Sequence, residues 1–304
     1  MTAGTFVLEP DVPFSLTAAA AFGFGPQTGR PKPGGDRMRL AFVLDGYAEQ
    51  AGVALRQRAD GAIEAEVTGS GTLAAVDRQV RRILSLDHPG NGWLAVGARD
   101  PVIGGLQREH PGMRPVLFHS PSEAAAWSVI SHRRGRAQAA PLRTRLATEL
   151  GRSFELDGEP LAAFPLPERL ATLRAFPGFE PQRIERLRGI ARAALDGKLD
   201  ADHLRAMDPA EARAELETLP GIGPFYADLV LVRATGIADL LPRDEPRVLG
   251  YVGHFYGVRG PATPAQLREI AEAWTPYRTW GVVLIRVAGD RAGLPFEKSG
   301  RMRP

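Results

Sequence analysis

The run Leu219-Pro220-Gly221-Ile222-Gly223-Pro224-Phe225-Tyr226-Ala227 constrains this chain more than any other stretch. It reads as a Gly-rich turn feeding the N-terminus of a helix, with Pro220 pre-setting the turn. Gly221 and Gly223 permit positive φ and put no Cβ in the way of an approaching group, while Leu219 and Ile222 tuck into the flanking helices. Open backbone N–H groups at such a helix start can hold a phosphate. Twenty-one residues after Gly223, Leu241-Pro242-Arg243-Asp244-Glu245-Pro246 places one carboxylate, Asp244, at the start of a further helix. A phosphate clamp beside a lone acid suggests chemistry on a nucleic acid backbone unit.

A helix over about 209–217, the turn, and a second helix to about 234 make a helix–hairpin–helix, an element that grips a nucleic acid backbone without reading its sequence. A Gly-containing interhelical turn would share the local pattern. Asp244 likewise fits an N-cap for the helix at Glu245-Pro246, and a capping carboxylate near a positive helix end stays ionised, so cap and catalytic acid are compatible roles.

Composition narrows the class. The chain has 304 residues, 44% hydrophobic and 24% charged, enough for two domains with a buried core. No cysteine is present, which removes thiol nucleophiles, Cys-ligated zinc, iron–sulfur clusters and disulfides together. No apolar run approaches a membrane span, and the start Met1-Thr2-Ala3-Gly4 lacks the order of a signal peptide, so a cytoplasmic, nucleoid-associated protein is expected. The histidines show no ligand spacing, so no metal site built from side chains is expected. With 38 basic and 35 acidic residues the net charge is +3, so distribution matters more than the total. Arg133, Arg134, Arg136, Arg143 and Arg145 crowd one stretch and Arg183, Arg186, Arg188 and Arg192 another. These are either phosphate-facing surface or solvated helix faces.

Residues 1–100 read as an antiparallel α+β domain. Residues 40–44 form a buried-strand run. Residues 53–58 and 63–67 flank the hairpin signal Asp60-Gly61, and Ile63, Ala65 and Val67 alternate with Glu64 and Glu66 so that one sheet face is covered and one is wet. Val76, Val80, Ile83 and Leu84 predict a helix laid on that sheet. Residues 25–35, rich in Gly and Pro, read as a mobile loop. Residues 101–304 read as a helical region containing the hairpin. Ser120-Pro121-Ser122-Glu123, Asp208-Pro209-Ala210-Glu211 and Thr263-Pro264-Ala265-Gln266 each begin a helix with a capping side chain, Pro, and Glu or Gln at the third position. Leu267, Ile270, Ala271 and Trp274 make one apolar stripe; Trp280, Val283, Leu284 and Val287 make another. The tail after Gly293 reads as frayed.

Together these segments resemble the helix–hairpin–helix (HhH-GPD) DNA glycosylase superfamily, in its 3-methyladenine DNA glycosylase II branch. The resemblance is carried by the hairpin, by Leu241-Pro242-Arg243-Asp244, and by Thr263-Pro264-Ala265-Gln266 leading to Trp274-Thr275-Pro276-Tyr277-Arg278. Phe164-Pro165-Leu166-Pro167-Glu168-Arg169-Leu170 and Ala193-Ala194-Leu195-Asp196-Gly197 add to it, as does the order of the two parts.

The resemblance implies a base excision repair enzyme that flips an alkylated base out of double-stranded DNA and hydrolyses its N-glycosidic bond. Asp244 matches the catalytic Asp and would stabilise an oxocarbenium-like transition state at the sugar. Leu219, Gly221 and Gly223 would hold the DNA backbone, with a monovalent cation between hairpin carbonyls and a phosphate and no other cofactor. Strand-nicking relatives carry a Lys where this chain has Phe225, so no lyase activity is expected. The strand-wedging loop matches Val129-Ile130-Ser131-His132-Arg133-Arg134, where the usual Gln falls on His132 and the apolar wedge on Arg133; Arg133 either stacks on a base or faces phosphate. In the base pocket Phe225 keeps an aromatic ring where Leu229 and Arg286 do not. Trp127, Tyr226, Tyr277 and Trp280 are further aromatics, pocket or core. A monomer is expected. A non-catalytic binder of damaged or distorted DNA on the same scaffold is the alternative.

Overall fold

Alternating apolar residues build the first layer. The computed structural model describes residues 2–20, 35–243 and 245–295. Asp244, nearly all of the 25–35 loop and residues 296–304 of the tail lie outside them. Strand β1 (Thr2–Leu8) and helix α1 (Leu16–Ala20) precede strands β2 (Arg37–Val43), β3 (Gln50–Gln57) and β4 (Ile63–Gly69). The strands form one antiparallel sheet in the order β1-β4-β3-β2. The expected hairpin joins β3 to β4, with Gly61 at φ 91° and Val53 opposite Val67. Ile63, Ala65 and Val67 face α2 (Leu73–Ile83), whose Val76, Val80 and Ile83 are buried with Leu84 just beyond. Each such side chain stabilises the pair by roughly 1.5–3 kcal/mol. Thr72 starts this helix by accepting the N–H of Ala75.

The second part is mostly helical, as expected, with one β-hairpin that the sequence reading did not place. Residues 153–162 form a hairpin of β5 (Ser153–Leu156) and β6 (Glu159–Ala162). Asp157 and Gly158 make its turn at φ 52° and 73°. Phe154 and Leu156 cover part of the sheet face that was expected to be wet: a Cβ on Gly52 would lie 2.7 Å from Phe154.

The helices are α3 (Gly90–Arg99), α4 (Pro101–Glu109), α5 (Pro121–Ser131), α6 (Arg136–Leu150), α7 (Pro167–Ala171), α8 (Pro181–Leu195) and α9 (Ala201–Ala206). They continue with α10 (Pro209–Glu217), α11 (Pro224–Ala234), α12 (Pro246–Phe255), α13 (Pro264–Ala271) and α14 (Arg278–Arg291). The three start signals open α5, α10 and α13, with Ser120, Asp208 and Thr263 capping. Among these three, Thr263 closes the reciprocal box through Gln266. Glu123 instead turns inward to Arg143 and His119.

Two apolar clusters hold the helices. One gathers α5, α6, α8, α10 and α11 around Trp127, Leu146, Leu187, Leu216 and Val230. The other gathers α3, α4 and α12 to α14 around Trp93, Ile103, Val252, Trp274 and Trp280. Trp93 and Val96, ahead of residue 100, thus pack with the last helices of the chain. Both predicted C-terminal stripes lie in this second cluster, Ile270 at its margin. A cleft opens where α11 of the first cluster faces α12 and α14 of the second.

Candidate active site

The hairpin forms as its residues dictate. Helices α10 and α11 are joined by 218–223, with Leu219 and Ile222 buried. The Ile222 N–H closes the turn on the Leu219 carbonyl at 3.1 Å. Gly221 has φ 90°, a value that favours glycine. Gly223 does not: it is extended at φ −104°, ψ −177°, so the expectation of positive φ holds for Gly221 and fails for Gly223. Gly223 serves by being small. It is the N-cap of α11 with no side-chain cap bond, and a Cβ there would meet nothing within 4 Å. The positive end of α11 therefore meets open space. Behind the turn, Pro220 rests on Gly189 of α8, and Arg186 of α8 and Val129 of α5 flank Gly221.

The predicted wedge loop lies beside this turn. Helix α5 ends at Ser131, and Arg133 follows with φ 55° and an exposed side chain. A non-glycine residue held there stores about 1–3 kcal/mol, and such strain collects at functional loops. Arg134 is committed elsewhere: it donates to the Gly178 carbonyl at 2.9 Å, pairs with Glu180 and lies over Phe179. His132 stands part-exposed, its imidazole held below the usual range by burial and then by Arg133, Arg186 and Arg183. Arg183, which the sequence offered merely as one of a basic run, clasps the end of α5 by donating to the carbonyls of Val129, Ile130 and His132. Arg143 and Arg145 of the other basic run are spent on Glu123 and Glu149.

The cleft is narrow and opens to solvent along α11. Phe225, 44% exposed, stands among its lining residues. Leu229, Val232, Val248, Val282 and Val283 line it with apolar surface, and Asp228, Arg233, Glu245 and Arg286 supply charge. Of the expected pocket residues, Phe225, Leu229 and Arg286 line the cleft together; Tyr226 and Trp127 do not. Trp127 is buried in the first helical cluster, and Tyr226 packs against the same cluster with its hydroxyl 3.5 Å from Ser131. Consecutive residues on a helix point about 100° apart, and here that step turns Phe225 to the cleft and Tyr226 to the first cluster. Tyr277 and Trp280 are core: Trp280 packs edge-on to Trp93 and Tyr277, and the Tyr277 hydroxyl donates to Pro89.

Asp228, buried on α11, and the half-buried Arg213 of α10, both missed by sequence reasoning, fix the segment beside the cleft. Asp228 accepts from the Arg243 N–H at 2.7 Å and from Arg213 Nε at 2.6 Å, while Arg213 Nη2 reaches the Leu241 carbonyl. Glu245 follows as the N-cap of α12, accepting the Arg247 N–H, so the capping role expected of Asp244 belongs to Glu245. Residues 241–243 and 245 are thereby tied to α11 and α12. The far end of α11 is held from behind. Arg82 of α2, Arg205 of α9 and the Phe118 N–H reach its last carbonyls, and His88 contacts the Gly236 carbonyl. Cations at a helix C-terminus complement its dipole.

Among the described residues, no helix is long and apolar enough to cross a membrane, and no group of three His, Cys, Asp or Glu is arranged to hold a metal.

A hairpin with an open helix start, a strained Arg loop beside it and a cleft along the same helix together define a helix–hairpin–helix protein. No family model matches the chain. A DNA-3-methyladenine glycosylase of Bacillus subtilis is 24% identical over 207 residues, 67% of this chain and 68% of that protein. The DNA-3-methyladenine glycosylase 2 of Escherichia coli is 30% identical over 189 residues, 60% of this chain and 63% of that protein. The chain thus spans about two thirds of the length of these relatives. In fold it is similar to a 3-methyladenine DNA-glycosylase from Archaeoglobus fulgidus, with a TM-score of 0.76 at 22% identity over 95% of this chain and 100% of that one. The chain is thus similar in sequence to 3-methyladenine DNA glycosylases and shares the fold of one of them.

Proposed function

We propose that this chain is a monofunctional DNA glycosylase that removes alkylated bases from double-stranded DNA by hydrolysis. The observation that carries the reading is that one helix, α11, supplies both the open N-terminus of the hairpin and the lining of the cleft through Phe225, Leu229 and Val232. A backbone held at Gly221 and Gly223 would place a flipped nucleotide toward that cleft. The cationic ring of an alkylated purine leaves readily, so one carboxylate stabilising positive charge on the sugar suffices. Asp244 is that carboxylate in this proposal, carried between two residues anchored by Asp228 and by α12. A monovalent cation bridging hairpin carbonyls to a phosphate belongs to the same proposal, as does action as a monomer.

The test is incubation with duplexes carrying 7-methylguanine or 3-methyladenine, followed by alkali to reveal abasic sites. Wild type releases the base. Asp244→Asn loses release by about 10²- to 10³-fold, as expected for removing a charge aimed at the transition state, and keeps its DNA affinity. Phe225 stands where a Schiff-base lysine would, so borohydride traps no covalent adduct. Tight lesion binding with no release, unaffected by Asp244→Asn, would instead establish the non-catalytic binder.

A further inference from the structure

The four arginines of α8 are used differently. Arg183 donates to the carbonyls of Val129 and Ile130 and pairs with Glu180. Arg188 meets the Ala171 carbonyl and Glu185, and Arg192 lies 3.9 Å from Glu185. The half-buried Arg186 makes no side-chain hydrogen bond or ion pair among the described residues. Its stem lies instead against the hairpin, with Cδ and Nε 3.1 and 3.7 Å from where a Cβ on Gly221 would stand. On the loop after α5, the exposed guanidinium of Arg133 is likewise without a partner among the described residues. Both cations act on His132, whose imidazole is held below its usual range by burial and then by Arg133, Arg186 and Arg183. The charge of Arg183 is answered by Glu180; those of Arg133 and Arg186 are not.

Resting on the hairpin as the DNA grip of the reading above, we infer that Arg186 is a phosphate-binding residue: its guanidinium takes one phosphate of the DNA strand beside Gly221. The helix carries the stem and the turn confines it, so the planar fork is held in place before DNA arrives. Among the described residues, none of α8 lines the cleft. The contact therefore goes to the backbone and not to a flipped base, and it fixes where the strand lies without reading its sequence. Arg183 ties α8 to the end of α5, which sets Arg186 and the Arg133 loop in one frame. A phosphate docked there supplies the anion that both cations lack, in a charge-assisted contact that suits arginine. An arginine that merely braced the turn would work through its stem alone, and its charge would have no part in binding.

The experiment follows binding of a fluorescein-labelled undamaged duplex by anisotropy between about 50 and about 200 mM KCl. Arg186→Met keeps an apolar stem against Gly221 and removes the charge. Its melting temperature stays at that of wild type, its affinity falls about tenfold, and the slope of log K against log salt becomes shallower by about 0.9, the mark of one lost phosphate contact. Arg186→Lys keeps the wild-type slope. Arg192→Met removes an equal charge from the same helix and also keeps it, which separates a contact from a general loss of field. Should Arg186→Met fail to fold, Arg186→Gln is read in its place against Arg186→Lys. An unchanged slope in Arg186→Met, an equal loss in Arg192→Met, or a loss that persists in Arg186→Lys overturns the inference. A wild-type slope near zero overturns it together with the hairpin grip. Release of 7-methylguanine from a methylated duplex by wild type is measured alongside. Its absence sinks the glycosylase reading and leaves the slopes to decide on Arg186, whereas its presence with an unchanged slope in Arg186→Met sinks the inference about Arg186 alone.

Discussion

Gly189 of α8 and Pro220 of the hairpin are in such close contact that a Cβ on residue 189 would lie 2.4 Å from Pro220 Cγ. Neither partner can give way by rotating a flexible side chain. Gly189→Ala must therefore push the turn off α8, at about 1–3 kcal/mol for overpacking. The expected result is a lowered melting temperature and weaker binding of undamaged duplex, read by fluorescence anisotropy. Binding equal to wild type would show that the hairpin is not the DNA grip.

The two hairpin glycines separate backbone conformation from access. Gly221 sits at φ 90°, and its Cβ would lie 3.1 Å from Arg186, so Gly221→Ala loses about 1–2 kcal/mol of stability. Gly223 is extended with open space around it, so Gly223→Ala leaves the melting temperature near that of wild type. The added methyl then stands where a phosphate approaches the start of α11, and DNA affinity falls about tenfold, the effect of one lost charge-assisted contact. Calorimetry and anisotropy on the two variants read the split.

What was legible in the sequence follows from how far each constraint reaches along the chain. The hairpin, the caps of α5, α10 and α13 and the β3–β4 turn are set by neighbours within a few residues, and they stand where glycine, proline and the capping side chains put them. Asp157-Gly158 carried an equally local turn signal, and the alternation of Phe154 and Leu156 gave the strand period. That hairpin was hidden because helices flank it on both sides. The cleft was less legible. Phe225 and Tyr226 are adjacent in sequence, and what turns one to the cleft and the other to the core is the packing of α5 against α11. Asp228 and Arg213 lie 15 residues apart and Arg183 and Val129 54 apart, and neither pairing leaves a local trace. Gly189 left one, an isolated glycine in a helical pattern, but its partner Pro220 becomes visible in three dimensions alone.

Asp228 is tied to the Arg243 N–H and to Arg213 from a buried position on α11. Asp228→Ala leaves Arg213 without its carboxylate, at about 3–5 kcal/mol for breaking a largely buried pair. It also frees the segment that leads to Asp244. The hairpin is untouched, so DNA affinity stays within about threefold of wild type, while single-turnover base release falls by about 10²-fold, as misplacement near the chemistry does. An unaltered release rate in folded Asp228→Ala would rule out this positioning role.

Glu123 and Arg143 form a fully internal ion pair at 2.5 Å that joins α5 to α6. Burial alone would raise the Glu123 carboxyl, but Arg143 and then His119 outweigh it and hold the group at about 2 against an ordinary 4.5. A carboxyl depressed in the folded state stabilises fully above its unfolded value and ceases to do so as pH falls through its folded one. This pair's contribution, on the order of 3 kcal/mol, is thus present above about pH 4.5 and lost toward pH 2. Glu123→Gln should lower neutral-pH stability by about 3–5 kcal/mol, because Arg143 stays buried without its partner. The variant should also show a shallower decline in melting temperature between pH 5 and pH 3 than wild type. Parallel melting curves for the two proteins across that range would leave this pair with no part in acid stability.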